Sequence, residues 1–298
     1  MNNEVTRLNG IDNEKYWTRV DRSLCWLGET DSEQKARQEI LASKTVGVAG
    51  CGGIGGALAL RLARLGIKHI KVADPDQFDW TNINRQLGAS KDTVGQNKAE
   101  VVGHMVHELS GDVTVDIFPQ GITNETAEPF ATDCDFILDQ MDFYLLDERY
   151  ALHQAFRIHS KASYILSAWC IGWGTSIFKW AKEGMTIEEY FNIPAGTPIT
   201  PEVIRHLMTR FIPKQPPFPS KKTIDHWFID KLTVPLFAGS PPIAEGFAIN
   251  RAALLILDME HLPYVQPLPI APDAYVYDTS SLQGEVVSYN LDTGNFVS

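Results

Sequence analysis

The amino-acid sequence predicts an α/β fold built on a doubly wound, mostly parallel sheet. Three observations carry this expectation. Short apolar runs recur at residues 45–49, 70–73, 113–118, 136–138 and 164–168. Stretches of helix-forming residues alternate with them, the order expected of parallel strands joined by crossover helices. The glycines Gly50, Gly52, Gly53, Gly55 and Gly56 come directly after the first run, where sheets of this kind bind ligands at the carboxyl ends of their strands.

Residues 1–43 read as a polar start leading into an N-terminal helical extension. The stretch 30–41 is rich in Glu, Gln, Lys, Arg and Ala, all good helix formers, with Asp31 or Ser32 placed to cap it. Residues 44–182 read as the core. Within it, 45–49 is a buried parallel strand, and 54–65 is a helix that stops at Gly66. The second strand, 70–73, ends at Asp74-Pro75. Next come a helix over 98–109, a strand over 113–118 and a short strand over 136–138 ending at Asp139. A helix over 150–160 and a strand over 164–168 complete the alternation. Residues 183–298 read as a continuation of the same domain. Pro194, Pro198, Pro201, Pro213, Pro216, Pro217 and Pro219 crowd its first part, which predicts a long, stiff crossover loop rather than a packed element. A strongly apolar helix over 243–259 comes next. Runs at 274–277 and 285–289 then close the chain as a hairpin or edge strands, with Gly284 in the turn.

Composition narrows the classes. The chain has 298 residues, 44% hydrophobic and 21% charged, enough to bury a core and unlike a disordered protein. A formal net charge of -11 disfavours nucleic acid or an anionic membrane surface as the main partner. No apolar stretch approaches the length of a membrane span, and the polar start is unlike a secretory signal, so a cytoplasmic location is the default expectation. The cysteines Cys25, Cys51, Cys134 and Cys170 form no C-x-x-C pair, so no structural zinc is expected. His104, His107 and Glu108 share a helix but match neither zinc-protease spacing.

The glycine loop between a strand and a helix is suited to an anion, because free N–H groups and the helix dipole meet there. Taken alone it also fits NAD or FAD, with Asp74 at the distance of a ribose-binding acid. The residues beyond the loop change the reading. Asp74-Pro75-Asp76 leads into Asn82-Ile83-Asn84-Arg85-Gln86 and then Gly95-Gln96-Asn97-Lys98. Hydride transfer has no use for such an Asn, Arg and Lys cluster, whereas cleavage of a triphosphate does. Arginine forks onto phosphate oxygens and lysine offers a point charge, which together hold the charge that builds on leaving pyrophosphate.

In this order, with Asp139-Gln140-Met141-Asp142 further on, the motifs resemble the ThiF/MoeB/HesA family, which includes the activating enzymes for ubiquitin-like proteins. The resemblance runs from about Val46 to Gly174 and implies a Rossmann-like fold. It implies an ATP- and Mg²⁺-dependent adenylyltransferase that activates the carboxylate of a peptide or small ubiquitin-like protein as acyl-AMP. On this resemblance the glycine loop seats the ATP phosphates, Asp74 binds the ribose hydroxyls, and Asp76 belongs to the nucleotide-binding set. Asn82, Arg85, Gln86 and Lys98 contact the triphosphate. Asp142 positions Mg²⁺, with Asp139 sharing that task or fixing the loop. Phe143 departs from the Asn that relatives often carry after the second acid. The segment Tyr16-Trp17-Thr18-Arg19 resembles one whose arginine reaches the nucleotide of a neighbouring subunit, which implies a homodimer and makes Arg19, with Arg22 as fallback, a catalytic candidate. Cys170 falls before the position of the family's thioester cysteine, which implies a cysteine- and zinc-independent branch. Three alternatives stay open: a tRNA threonylcarbamoyladenosine dehydratase-like cyclising enzyme, an NAD-dependent oxidoreductase, and a nucleotide-binding scaffold without catalysis.

Overall fold

The structure, a computed structural model, describes residues 4–297. Residues 1–3 and 298, the outer ends of the two expected terminal segments, lie outside the described residues. The chain runs β1 (Thr6–Leu8), α1 (Tyr16–Val20), α2 (Asp31–Ser43), β2 (Thr45–Ala49), α3 (Gly55–Leu65), β3 (His69–Ala73), α4 (Lys98–Glu108), β4 (Thr114–Phe118), α5 (Ala127–Ala131), β5 (Phe136–Asp139) and α6 (Leu146–His159). It continues with β6 (Tyr164–Ile171), β7 (Gly174–Ala181), α7 (Ile187–Phe191), α8 (Pro201–Phe211), α9 (Lys221–Asp225), α10 (Ser240–Ile256), β8 (Ala274–Asp278), β9 (Gln283–Asn290) and β10 (Asn295–Val297).

All ten strands form one sheet in the order β1-β4-β3-β2-β5-β6-β7-β8-β9-β10. The five central strands, β4 to β6 in that order, are parallel. β1 adds to one edge antiparallel, and β7 to β10 extend the other edge antiparallel. The chain winds one way from β2 to β4 and the other way from β5 to β6, so the direction reverses between β2 and β5. The crevice at such a reversal, beyond the strands' carboxyl ends, is where open α/β sheets take ligands. Apolar layers cover both faces. Phe130, Phe156, Tyr190 and Phe211 lie in one; Leu58, Val106 and Ala248 lie in the other. Helices on both faces are what a doubly wound sheet requires.

Local chemistry sets the boundaries. α2 starts from Thr30, whose hydroxyl accepts from the Glu33 N–H while Glu33 answers back in a capping box; the cap is Thr30, not Asp31 or Ser32. α3 ends at Gly66, whose left-handed backbone (φ 108°) turns its N–H onto the carbonyls of Leu62 and Ala63.

Three expectations need correction. The proline-rich stretch holds packed helices: Thr200 caps α8 with Pro201 in its first turn, and Ile204, Leu207, Met208 and Phe211 are buried. β6 runs on to Ile171 and returns as β7, a strand the sequence pattern did not announce. Gly284 sits within β9 opposite Tyr277 rather than in the turn, because a side chain there would meet the Tyr275 hydroxyl at 2.1 Å. Among the described residues no helix is long and apolar enough to cross a membrane.

Candidate nucleotide site

The carboxyl ends of the parallel strands surround a cavity of about 320 Å³. Gly50, Gly52 and Gly53 after β2, Asp74 and Asp76 after β3, and Asp142 after β5 line it. So do Arg85, Gln86 and Lys98. The structure therefore brings most of the residues expected from the sequence to one place.

The loop can exist only with glycine at particular points. Gly50 has φ 96°, and a Cβ there would lie 2.3 Å from the Gln140 carbonyl oxygen. A Cβ on Gly55 would lie 1.8 Å from the Gly50 oxygen. Gly55 and Gly56 do not line the cavity; they let the first turn of α3 fold against the loop. Gly52, by contrast, meets only the Gln86 amide, 3.8 Å away, so its backbone is open to a guest.

Acids and cations face each other across this loop. Asp74 is buried and accepts from the N–H groups of Cys51 (2.7 Å) and Asp76 (2.9 Å). Burial pushes its carboxyl up to about 6, against the pull of Lys98. Lys98 is itself buried and donates to Asp76 at 2.8 Å. Arg85 donates through Nη1 to the Thr81 carbonyl (3.0 Å) and to Asn84 (2.9 Å). Its Nε is buried without a protein partner, as are Oε1 of Gln86 and Oε1 of Gln140. Buried polar atoms cost stability unless something satisfies them, and all three residues border the cavity.

Asn82 plays an indirect part. It does not line the cavity; its side chain accepts from the Asp79 N–H at 3.1 Å, and its carbonyl accepts from the N–H groups of Arg85 and Gln86. It builds the turn that presents those two.

Asp139 and Arg19 also stand apart from the cavity. Asp139 is fully buried and does not line this cavity. Its Oδ2 accepts from Arg149 at 2.8 Å and lies 3.2 Å from His153 Nε2, and its Oδ1 accepts from the Met141 N–H at 3.2 Å. Burial alone would raise this carboxyl, but Arg149 and His153 hold it down at about 2. These contacts fix the loop, one of the two roles expected of Asp139. Arg149 completes that loop by donating to the carbonyls of Met141 (2.8 Å) and Asp142 (3.1 Å). The Asp142 side chain is left exposed, its carboxylate accepting from the Tyr144 N–H at 3.2 Å. Arg19 is held within its own chain. It pairs with Asp112 at 3.1 Å and donates to the Ala63 carbonyl at 2.6 Å, a cation at the end of α3, where the helix dipole favours one.

In the sequence, the aromatic and proline-rich stretch 169–227 suits a substrate-binding wall; Phe228, Val234, Leu236 and Pro241 beyond it were missed. Trp169, Phe211, Ile212, Phe228, Val234, Leu236 and Pro241 line the cavity from β6, the end of α8, the segment leading to α10 and the first turn of α10. The helical spacing of Ile204, Leu207, Met208 and Phe211 was the signal that would have found one of these elements. Cys170 lies in the wall too, with its thiol pushed up to about 12 by burial, so it is not a thiolate nucleophile as it stands.

The ThiF family profile matches residues 26–215. The tRNA threonylcarbamoyladenosine dehydratase of Bacillus subtilis is 37% identical over 105 residues, covering 35% of this chain and 41% of that protein. The Haemophilus influenzae protein of that name is 35% identical over 140 residues, covering 46% and 50%. The adenylyltransferase and sulfurtransferase UBA4 of Candida albicans is 31% identical over 102 residues, covering 34% and 23%. The matched part thus spans no more than half the length of these relatives. Among solved structures, PaaA superposes with a TM-score of 0.64 at 18% identity, covering 92% of this chain and 73% of that one. Escherichia coli MccB solved with ATP gives 0.62 at 18%, covering 92% and 71%. At such identities the likeness establishes the fold.

Proposed function

The chain belongs to the ThiF family, and on that premise we propose that it is an ATP- and Mg²⁺-dependent adenylyltransferase acting on the carboxylate of a peptide or small protein. The observation that carries this reading is the buried Arg85 Nε without a partner. It borders the same cavity as the glycine loop and Lys98. A triphosphate supplies the oxygens that this arrangement lacks. Asp74 would accept from the ribose hydroxyls, and the open backbone at Gly52 would take phosphate oxygens.

In the reaction a substrate carboxylate oxygen attacks the α-phosphorus. The bond from that phosphorus to the bridging oxygen breaks, and pyrophosphate leaves with the electron pair. The carboxylate is already ionised at neutral pH, so no base is needed. Catalysis is positioning and neutralisation of charge, by Arg85 and Lys98. Lys98 must turn from Asp76 to the phosphates to do so. Asp142 would hold Mg²⁺, which when bound offsets phosphate charge. Among the described residues no group of three or more His, Cys, Asp or Glu could hold a metal, so nucleotide oxygens would complete its shell, a usual arrangement for this ion.

A peptide or small-protein substrate is supported by UBA4, named as an adenylyltransferase and sulfurtransferase, and by MccB, which has been solved with MccA. A second reading, dehydration of a threonylcarbamoyl group on tRNA, draws support from the 37% identity to the Bacillus dehydratase, while the net charge of -11 weighs against a tRNA partner. The chain is further proposed to act as a homodimer. Arg19 would have to leave Asp112 to reach a neighbouring nucleotide, and exposed Arg22 is the fallback in the same segment.

The test is ATP–pyrophosphate exchange with Mg²⁺, using pools of peptides, small carrier proteins and tRNA, with Arg85→Ala as control. Exchange that needs a peptide or protein pool and falls by ~10²-fold or more in the variant supports the reading. Exchange that needs tRNA favours the second. Tight NAD(H) binding with no ATP binding would sink both.

A further inference from the structure

The cavity has two chemically different halves, and the strand order says which is which. The charged lining residues belong to one side. Asp74 and Asp76 come after β3, Arg85 and Lys98 come before and at the start of α4, and Asp142 and Glu148 come after β5. From β6 onward, no residue lining the cavity carries a charge. There the wall is Trp169, Cys170, Phe211, Phe228 and Leu236, joined by Phe143 after β5. The aromatic rings pack on one another: Trp169 on Phe211 at 4.2 Å between centroids, and Phe143 on Phe211 and on Phe228 at 5.1 Å each. The Tyr144 hydroxyl donates to the Phe228 carbonyl at 2.9 Å, tying this wall to the loop that carries Asp142. It is a built surface.

The adenylylation reading, on which this inference rests, places the ribose at Asp74 and the phosphates at the glycine loop. The nucleotide then occupies the β2, β3 and β4 side. The attacking carboxylate must come to the α-phosphorus from the opposite side, across β5. The side chain next to that carboxylate enters the space the nucleotide leaves, which is the uncharged half. We infer that this half seats the side chain of the substrate's carboxyl-terminal residue and selects a bulky apolar one, such as leucine or phenylalanine. Glycine would leave the aromatic walls without contacts. An aspartate or lysine would lose its water without gaining a partner.

Stable analogues of the acyl-adenylate test this without knowledge of the rest of the substrate. N-acetyl-leucyl-, phenylalanyl-, glycyl-, aspartyl- and lysyl-sulfamoyladenosine are titrated against the full chain by calorimetry, alongside ATP with Mg²⁺. The leucyl or phenylalanyl analogue is expected to bind at least ~10-fold tighter than the glycyl one, the scale of discrimination available to an apolar pocket. Leu236→Glu, at a half-buried position, is expected to abolish that preference while ATP still binds, which also reports that the variant is folded. Equal binding of all five analogues, or a preference untouched by Leu236→Glu, would overturn the inference and leave adenylylation standing. If neither ATP nor any analogue binds, adenylylation itself fails and takes the inference with it.

Discussion

Replacing Arg149 with methionine keeps an unbranched stem but removes the guanidinium and its charge. The guanidinium is fully buried. It donates to Asp139, to two loop carbonyls and, at 3.3 Å, to the Leu145 carbonyl, and it lies 4.8 Å from the Trp169 ring. Breaking a buried ion pair from one side costs about 3–5 kcal/mol, because the other charge stays behind unpaired. The structure supplies a second measure. The Asp139 carboxyl sits at about 2 rather than 3.8 although burial opposes this, so Arg149 and His153 favour its charged form by more than burial disfavours it. Urea unfolding at neutral pH should therefore show Arg149→Met destabilised by about 3–5 kcal/mol. In the double variant Arg149→Met with Asp139→Leu the losses should fall short of additive by about 2 kcal/mol or more. The sign with pH is fixed by a depressed carboxyl. The wild-type contribution is full above about 3.8 and is lost as pH falls through about 2. A loss under about 1 kcal/mol in Arg149→Met, or strict additivity in the cycle, would refute the view that this pair organises the loop.

Three further outcomes are expected. Asp74 has its carboxyl raised to about 6, so its stability contribution is full below about 3.8 and is lost as pH rises through about 6, while a ribose needs the charged form. ATP affinity should weaken as pH falls below about 6, by no more than ~10-fold per unit; a flat dissociation constant between about pH 5 and about pH 8 argues against Asp74 as the ribose acid. Gly55→Ala forces a Cβ to within 1.8 Å of the Gly50 oxygen and should cost ~1–3 kcal/mol and abolish ATP binding. Gly246→Ala in α10, where nothing lies within 4 Å, should instead raise stability by ~0.5–1 kcal/mol, and thermal shift separates the two. Iodoacetamide on the native protein should label the exposed Cys25 and spare buried Cys51, Cys134 and Cys170; mass spectrometry showing more than one adduct would contradict the burial of those three.

Where backbone chemistry is local, the sequence announced the structure. The strand at 45–49, the glycines after it and the stop at Gly66 all depend on neighbouring residues, and they stand where expected. Arg85, Lys98 and Asp142 reach one cavity because short strands and tight turns leave little choice. The failures are those of distance and direction. Nothing around Asp139 reveals that Arg149, ten residues on, turns back to claim it, nor that Arg19 meets Asp112. The prolines of the later segment outweighed the apolar period of α8, although Pro201 in a first turn favours a helix. β7 is buried along nearly all its length, so it lacks the alternation by which a half-exposed strand is recognised.

The guanidinium of Arg149 faces the rings of Trp169 and Phe211 and grips the backbone that carries Asp142. One rigid group thus leans on both compartments of the cavity. On the proposed reading, a guest that shifts the rings would also tilt the carboxylate assigned to Mg²⁺, so the two ligands would be coupled without touching. Such communication works equally in both directions. Whatever factor ATP then added to the affinity of the acyl group, the acyl group would return to ATP.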